Sequence, residues 1–172
     1  MASIYPILEY PDPKLREEGD IVEDFGPETQ QIIDKMIKTL YASENCAALA
    51  AVQLGICKRI TVIDISQKKD DLIILVNPEI THIEGQTNTT EGCMSIGHKK
   101  NIWAKVKRTD KIHVKAKNRH GEPIEFEAEG FLSKCIQHET DHLHGKLYLD
   151  HLPALKRKLL EKQLKRRSAR SR

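Results

Sequence analysis

The chain has 172 residues, of which 39% are hydrophobic and 31% charged, and its formal net charge at pH 7 is +3. This length and composition are typical of one folded domain with a substantial core, not of a disordered or fibrous protein. No apolar run approaches the roughly 18–20 residues that a membrane-spanning helix requires, so we expect no membrane partner. The first residues resemble neither a signal peptide nor a transit peptide, and a cytoplasmic location is therefore expected.

The first part of the sequence predicts an irregular arm followed by one amphipathic helix. Three prolines lie within residues 1–26, so this stretch is expected to be irregular, with one short helical turn near residues 14–18. Pro27 suits the first turn of a helix, and apolar residues recur at helical spacing as far as Tyr41. The sequence therefore predicts a helix with one face in the core.

The middle of the sequence predicts strands. Residues 59–65 and 72–76 are rich in β-branched and apolar side chains, and Asn77-Pro78 is expected to end the second strand, with a continuation in a new direction over residues 79–84. Residues 111–117 and 122–128 alternate between polar and apolar, and the turn-forming residues between them predict a β-hairpin.

The end of the sequence is predicted to be helical and basic. Pro153 is expected to open a final helix. The apolar stripe of this helix consists of Leu155, Leu159, Leu160 and Leu164. Because most strands lie between helices placed towards the two ends, the fold class is α+β. We expect one domain, with residues 1–155 as its catalytic part and residues 156–172 as a basic helix and tail belonging to it.

A candidate metal-binding helix lies at Gln137-His138-Glu139-Thr140-Asp141-His142. On a helix, residues i and i+4 lie about 40° apart around the axis and one turn apart along it, so both imidazoles can reach one ion. Glu139 is rotated off that line and can contact a ligand of the metal rather than the metal itself. We therefore expect antiparallel sheets packed around this helix, with the C-terminal helix beside them.

Two histidines need a further protein ligand, and the nearby candidates are unsuitable. Cys135 lies on the same face as His142, but roughly 10 Å along the axis separates them, too far for both to coordinate one ion at about 2.0–2.3 Å. Cys135 is therefore expected to pack in the core beneath the site. Tyr148 stands where the metzincin pattern requires a third histidine, which argues against a protease of that type. A downstream glutamate ligand would have to be Glu161, which lies within the basic tail and is therefore an implausible metal ligand.

Cys93 remains as the third ligand, in the segment Glu91-Gly92-Cys93-Met94-Ser95. This segment follows the polar, turn-prone residues 86–90, so we expect it on a loop or at a strand end. Gly92 allows close backbone approach, and the backbone N–H of Met94 would be available as a donor.

Three segments together resemble the motifs of peptide deformylases, usually written G-x-G-x-A-A-x-Q, E-G-C-x-S and Q-H-E-x-D-H. In this sequence they are the stretch that ends in Leu49-Ala50-Ala51-Val52-Gln53, the segment around Cys93, and the segment 137–142, in the same order and spacing. The resemblance extends over essentially the whole chain. It implies hydrolysis of the formyl group of N-formylmethionyl peptides, with formate as a product.

The resemblance also implies a role for each matching residue. Cys93, His138 and His142 would bind one divalent metal, with Fe²⁺ typical of the family and Zn²⁺ or Ni²⁺ as replacements, and the metal would lower the pKa of a bound water. Glu139 would take the proton of that water and pass one to the leaving amine. The side-chain amide of Gln53 and the backbone N–H of Met94 would stabilise the developing oxyanion.

The first motif departs from the family pattern on the substrate side. Cys46 and Ala48 replace its two glycines, in a loop that runs alongside the substrate in the family. We expect these side chains to narrow or reshape the groove and to lower the activity or shift the peptide preference. The candidate substrate-binding residues are Cys46, Ala47, Ala48, Leu49 and Gly92.

The charge is distributed unevenly. Residues Lys156–Arg172 carry nine basic side chains and one acid, whereas the rest of the chain is mildly acidic. Such tails contact nucleic acid or acidic partners, and the family's C-terminal helix can dock on the ribosome, so a ribosome contact is expected here.

Three alternatives to an ordinary deformylase remain open. The chain could be a divergent paralogue with weak or altered peptide specificity. It could be an H-E-x-x-H metallopeptidase, or a ribosome-binding module whose metal is only structural.

Overall fold

The computed structural model describes residues 4–97 and 102–169, and it has the predicted α+β class. The described helices are α1 (Pro27–Ala42), α2 (Gly130–Leu143) and α3 (Ala154–Ala169). The described strands are β1 (Ala48–Ala50), β2 (Ile60–Ile63), β3 (Ile73–Glu84), β4 (Thr87–Glu91), β5 (Ala104–Arg108), β6 (Lys111–Lys117) and β7 (Pro123–Glu129). Short 3₁₀ turns occur at Pro13–Arg16, Ala51–Leu54 and Tyr148–His151. Among the described helices, none is long and apolar enough to cross a bilayer.

Two antiparallel sheets surround α2. The larger sheet has the strand order β1-β2-β3-β6-β7, and β4 pairs with β5 in a separate two-stranded sheet. The predicted hairpin is present as β6 and β7, with Lys111 opposite Glu129 and Lys117 opposite Pro123. Because α2 follows β7 directly, this hairpin places the candidate metal-binding helix against the sheet.

The helix α1 packs its apolar face against the first two strands. Ile33, Met36 and Leu40 are almost completely buried and share a cluster with Leu49 and Val62. Burying each such side chain contributes about 1.5–3 kcal/mol. This packing fixes the position of β1, which leads into the Gln53 segment.

The prediction that Asn77-Pro78 ends the second strand was wrong. Strand β3 continues to Glu84, with a register shift between Val76 and Glu79 in its pairing with β6. Asn77 has a positive φ of 51°, and its side chain both donates to and accepts from the backbone of Val22, at 2.9 Å each. A β-bulge therefore accommodates the proline, which cannot donate to the ladder.

The turn expected near residues 86–90 was also wrong, because strand β4 occupies this stretch. Thr87 to Glu91 pair residue by residue with Arg108 to Ala104 of β5. Threonine is β-branched and suits a half-buried strand, a preference that the polar composition concealed. Cys93 consequently lies just beyond a strand end.

Helix α3 begins close to the predicted position, but half of its predicted apolar stripe was wrong. Leu160 and Leu164 are buried in the cluster that contains Cys93, whereas Leu155 and Leu159 are 70% and 60% exposed. The row 155/159 and the row 160/164 lie about 140° apart around the helix axis. Only one row can therefore face the body of the protein.

Candidate metal centre

Helix α2 and the end of β4 bring three potential metal ligands together. The donor atoms of Cys93, His138 and His142 all lie within 4.8 Å of one another. The Cys93 Sγ is 3.3 Å from His142 Nε2, and the two imidazole rings are 5.0 Å apart between centroids. The i,i+4 spacing on α2 thus aims both rings at the sulfur, as the sequence predicts.

These residues fit a divalent transition-metal ion. One thiol and two imidazoles are ligands that zinc, iron and nickel accept, and three protein ligands leave a position for water or substrate. Glu139 is only 4% exposed, and among the described residues its Oε2 has no hydrogen-bond partner. A buried carboxylate oxygen normally has a hydrogen-bond partner, and a water bound to a metal ion in the ligand cluster would supply one here.

The remaining sulfur and aromatic candidates near α2 lie outside the ligand cluster. Cys135 is half-buried and forms part of the cavity wall beside the cluster. Tyr148, at the position of a metzincin histidine, is buried and stacks its ring 6.2 Å from that of His138. Tyr148 therefore packs on His138 and is not part of the ligand cluster.

A buried ion-pair network holds His138 in place. The Nδ1 of His138 contacts Glu91 Oε1 at 2.8 Å, so its other nitrogen is left for the ligand cluster. Arg108 donates to both oxygens of Glu91 at 2.8 Å and to Asp141 at 2.6 Å, and His151 contacts the same Asp141 oxygen at 2.7 Å. Carboxylates that orient a metal-ligating histidine in this way fix its tautomer and its ring position.

Hydrogen bonds determine which groups in this network are charged. Burial alone would raise the pKa of Glu91, but hydrogen bonds from Arg108 and His138 outweigh it and lower that pKa to about 2. The guanidinium of Arg108 is 3% exposed, and its pairing with Glu91 and Asp141 keeps its pKa above the ordinary value. Glu91 is therefore a carboxylate at neutral pH.

Glu139 has the opposite environment. Burial raises its pKa to about 7, and the nearby Glu91 adds to this increase, while His138 opposes it. A carboxyl group with a pKa near the working pH can both accept and return a proton. Two carboxyl groups on either side of His138 thus have different pKa values and can have different roles.

Gln53 is held with its amide nitrogen towards the cluster. Its Oε1 accepts from the backbone N–H of Ala50 at 2.9 Å. Its Nε2 is therefore directed to Ser95 Oγ, at 3.1 Å, and to Cys93 Sγ, at 3.7 Å. Gln53 is 1% exposed, so this N–H group is a donor fixed in a buried place.

A cavity of about 170 Å³ opens onto these groups. It is lined by Asn45, Cys46, Ala47, Ala48, Gln53, Thr89, Thr90, Glu91, Gly92, Cys93, Met94, Trp103, Phe131, Lys134, Cys135, His138 and Glu139. Four of the five predicted substrate-binding residues are thus on its wall. Leu49 is instead fully buried in the core cluster with α1.

The ring of Trp103 leaves no room for a side chain at Gly92 in the cavity wall. A Cβ at this position would lie 2.6 Å from ring atoms of Trp103, closer than two carbons can approach. The group that approaches the backbone of Gly92 closely is therefore the indole ring of Trp103. Trp103 itself is 57% exposed at the cavity mouth.

Sequence reasoning missed Arg108 and assigned no role to His151. Arg108 lies on β5, far along the chain from both acids that it pairs with. The signal that could have found it was indirect, because two acids beside metal ligands, Glu91 and Asp141, require a cation when both are buried.

Comparison with known proteins gives one consistent family. The family model for polypeptide deformylase matches residues 4–158. A curated relative, Peptide deformylase 1 of Coxiella burnetii, is 50% identical over 163 residues, which cover 94% of this chain and 95% of that protein.

Solved structures agree with the sequence comparison. A peptide deformylase from Legionella pneumophila is 38% identical, with a TM-score of 0.89 and 98% of each chain covered. A peptide deformylase from Thermus thermophilus is 32% identical, with a TM-score of 0.86 and 97% and 96% of the two chains covered.

Proposed function

The chain belongs to the polypeptide deformylase family, and from this premise we propose how its residues remove the formyl group from formylated nascent peptides. The observation that carries the proposal is the convergence of the Cys93, His138 and His142 donors within 4.8 Å beside Glu139 and Gln53. Together these five residues would supply three parts of an amide hydrolysis: the metal ligands, the proton-transfer group and an oxyanion donor.

Cys93, His138 and His142 would hold one divalent ion, and Fe²⁺ is our assignment, with Zn²⁺ and Ni²⁺ as ions that the same donors accept. When bound, such an ion polarises the formyl carbonyl and makes water a nucleophile near neutral pH. The thiolate donates more electron density than a third imidazole would.

Glu139 and Gln53 would have different roles in the reaction. Glu139, with its pKa raised to about 7 by burial, takes a proton from the attacking water and delivers one to the leaving amine. The fixed Nε2–H of Gln53 and the backbone N–H of Met94 donate to the oxyanion, and each such donor is worth about 3–4 kcal/mol. Formate and a peptide with a free amino group leave.

A second candidate is a divergent deformylase with altered peptide specificity, because Cys46 and Ala48 lie on the cavity wall. The metallopeptidase alternative is disfavoured by Tyr148, which packs on His138 rather than supplying a ligand. A ribosome-binding module with a purely structural metal is disfavoured by the buried and orphaned Glu139 carboxyl.

The decisive experiment measures formate release from formyl-Met-Ala-Ser together with metal analysis of the same sample. We expect formate release in proportion to bound metal and no cleavage of casein. Bound metal without formate release would contradict the proposal and favour the structural-metal alternative. Casein cleavage would favour a peptidase.

We further infer that residues 156–172 belong to the domain of residues 1–155 and also contact the ribosome in the cytoplasm. Leu160 and Leu164 are buried in the same cluster as Cys93, so α3 packs on the catalytic body. The basic residues of this segment would face ribosomal RNA. Salt-sensitive co-sedimentation with ribosomes should be lost when residues 165–172 are deleted; unchanged binding would contradict the inference.

A further inference from the structure

Lys134 is a cation on the cavity wall that has no counter-ion among the described residues. It is half-buried and, in the part of the chain that the structure describes, it is the only Lys or Arg that lines the cavity. Within residues 4–97 and 102–169, its side-chain ammonium group takes part in no hydrogen bond or ion pair. The ammonium group of Lys134 is therefore available to a ligand.

The two acids on the cavity wall do not neutralise it. Both oxygens of Glu91 are engaged with Arg108, and one of them also contacts His138. Glu139 is 4% exposed and lies beside the ligand cluster, without an ion pair to Lys134. An ammonium group that has lost part of its hydration and has no partner gains from an anion that enters the cavity.

The surroundings of Lys134 favour such a pair. Phe131 lies three residues earlier on α2 and Trp103 lies on the other side of the cavity mouth, and these side chains are 59% and 57% exposed. Two aromatic rings at the mouth offer apolar surface to the alkyl part of a ligand and lower the local polarity. A side chain with an aliphatic stem and a terminal carboxylate matches both the rings and the cation.

The distance from the reacting centre fits the first residues of a peptide. Lys134 lies one helical turn before His138, which is about 6 Å along α2. Side chains on a helix tilt towards its N-terminus, which moves the ammonium group further from the metal ligands. An extended peptide advances about 3.3 Å per residue, so a peptide that ran from the ligand cluster towards the N-terminus of α2 would bring its second and third residues within reach of a four-carbon stem.

We propose that Lys134 makes this chain select formyl-methionyl peptides that carry an acidic side chain at their second or third residue. The inference rests on the proposed function, and it deepens that function by naming the substrate class. Lys134 acts as a specificity-determining residue, because it is not among the three clustered donors and its ammonium group is directed away from them along α2. Its contribution should therefore appear in KM and in the ratio between peptides, not in kcat.

The experiment compares formate release from formyl-Met-Glu-Ser, formyl-Met-Gln-Ser and formyl-Met-Lys-Ser, and from formyl-Met-Ala peptides with the same three residues in third position. The metal-loaded full chain, its Lys134→Met and Lys134→Glu variants, and the control Lys38→Met are assayed at low and high salt. Lys38 is an exposed lysine on α1 and does not line the cavity, so its substitution makes the same change in net charge elsewhere.

For the unmodified chain and for Lys38→Met, we expect kcat/KM about 5-fold higher for a glutamate peptide than for its glutamine counterpart, mainly through KM. Lys134→Met should abolish this preference, Lys134→Glu should invert it in favour of the lysine peptide, and high salt should weaken it. A glutamate preference that survives in Lys134→Met, or equal rates for all peptides with the unmodified chain, overturns this inference alone. Absence of formate release from every peptide overturns the proposed function and this inference together.

Discussion

The two walls of the cavity are built in different ways. On the α2 side, the lining residues Glu91 and His138 are held by a network of charges behind the wall, in which Arg108 pairs with Glu91 and Asp141, while Lys134 lies apart from this network. On the β1 side, small side chains line the cavity, and β1 is positioned by backbone pairing with β2, Ala48 lying opposite Ile63. One wall depends on exact charges and the other on side-chain volume.

This difference separates chemistry from selection. A buried ion-pair network tolerates little change, because removing one member leaves the others uncompensated in an apolar environment. A wall of small residues can gain or lose a methyl group while the fold stays intact. Substitutions in the charge network and at Glu139 should therefore cause large losses, and those on the β1 wall should cause modest changes in either direction.

The largest effect is expected from Glu139→Ala on the α2 wall. Without its proton-transfer group, kcat should fall by about 10²–10⁴-fold, the usual contribution of a positioned acid or base. Because Glu139 is not among the three clustered ligands, the metal content should stay near that of the unmodified chain. Loss of metal along with activity would show that the carboxyl group holds the ion and would blur the distinction between the walls.

The next effect is expected from Gln53→Ala, at the junction of the two walls. Removal of one oxyanion donor should lower kcat by about 10²–10³-fold with a smaller change in KM. The matched control is Gln53→Glu, which keeps an acceptor for the Ala50 N–H but presents oxygen where the donor was. If Gln53→Glu retains full activity, the donor role of Gln53 is wrong.

A smaller effect on the reaction, but a large one on the fold, is expected from Arg108→Met. This change leaves Glu91 and Asp141 without their shared cation, and the free energy of unfolding should fall by about 3–5 kcal/mol. Metal affinity should weaken by about 10–100-fold, because His138 loses the support of an oriented Glu91. Denaturant unfolding and metal titration measure the two quantities.

Arg16→Met is the control for this prediction. It removes a pair with Asp150 whose side chains are 36% and 26% exposed, so the unfolding free energy should change by about 1 kcal/mol or less. Equal losses in the two variants would contradict the distinction between buried and exposed pairs.

The smallest effect is expected from Ala48→Gly on the β1 wall. Removing the Cβ widens the cavity, and kcat/KM on formyl-Met peptides should rise by up to about 10-fold. The added chain flexibility should cost about 0.5–1 kcal/mol of stability, which a thermal melt would detect. An unchanged kcat/KM would show that Ala48 does not limit the groove.

The part of the site that follows from spacing along the chain could be predicted. His138 and His142 lie one helical turn apart on α2, and the distance along the same helix rules out Cys135 as a further ligand. Both inferences use only helix geometry. Cys93 followed only by elimination of the other candidate ligands, and the role of Gln53 required the resemblance to a family, since the proximity of both residues to α2 depends on how the sheets fold.

The parts that were missed depend on contacts between distant segments. Arg108 pairs with both Glu91 and Asp141. It lies on β5, a strand that no local sequence pattern predicted. Strand β4 was missed because its polar residues are also typical of turns, and its extended conformation depends on pairing with β5. Likewise, the leucines of α3 form two rows, and only the body of the protein decides that Leu160 and Leu164 are covered.

The contact between Gly92 and Trp103 also gives the protein an optical property. Trp103 is the single tryptophan in the chain, and its ring lies over Gly92, the residue that precedes Cys93. All indole fluorescence therefore originates at the cavity mouth, from a ring that is 57% exposed to solvent. A peptide that covers this ring should shift its emission to shorter wavelength, so occupancy of the groove can be read without a label.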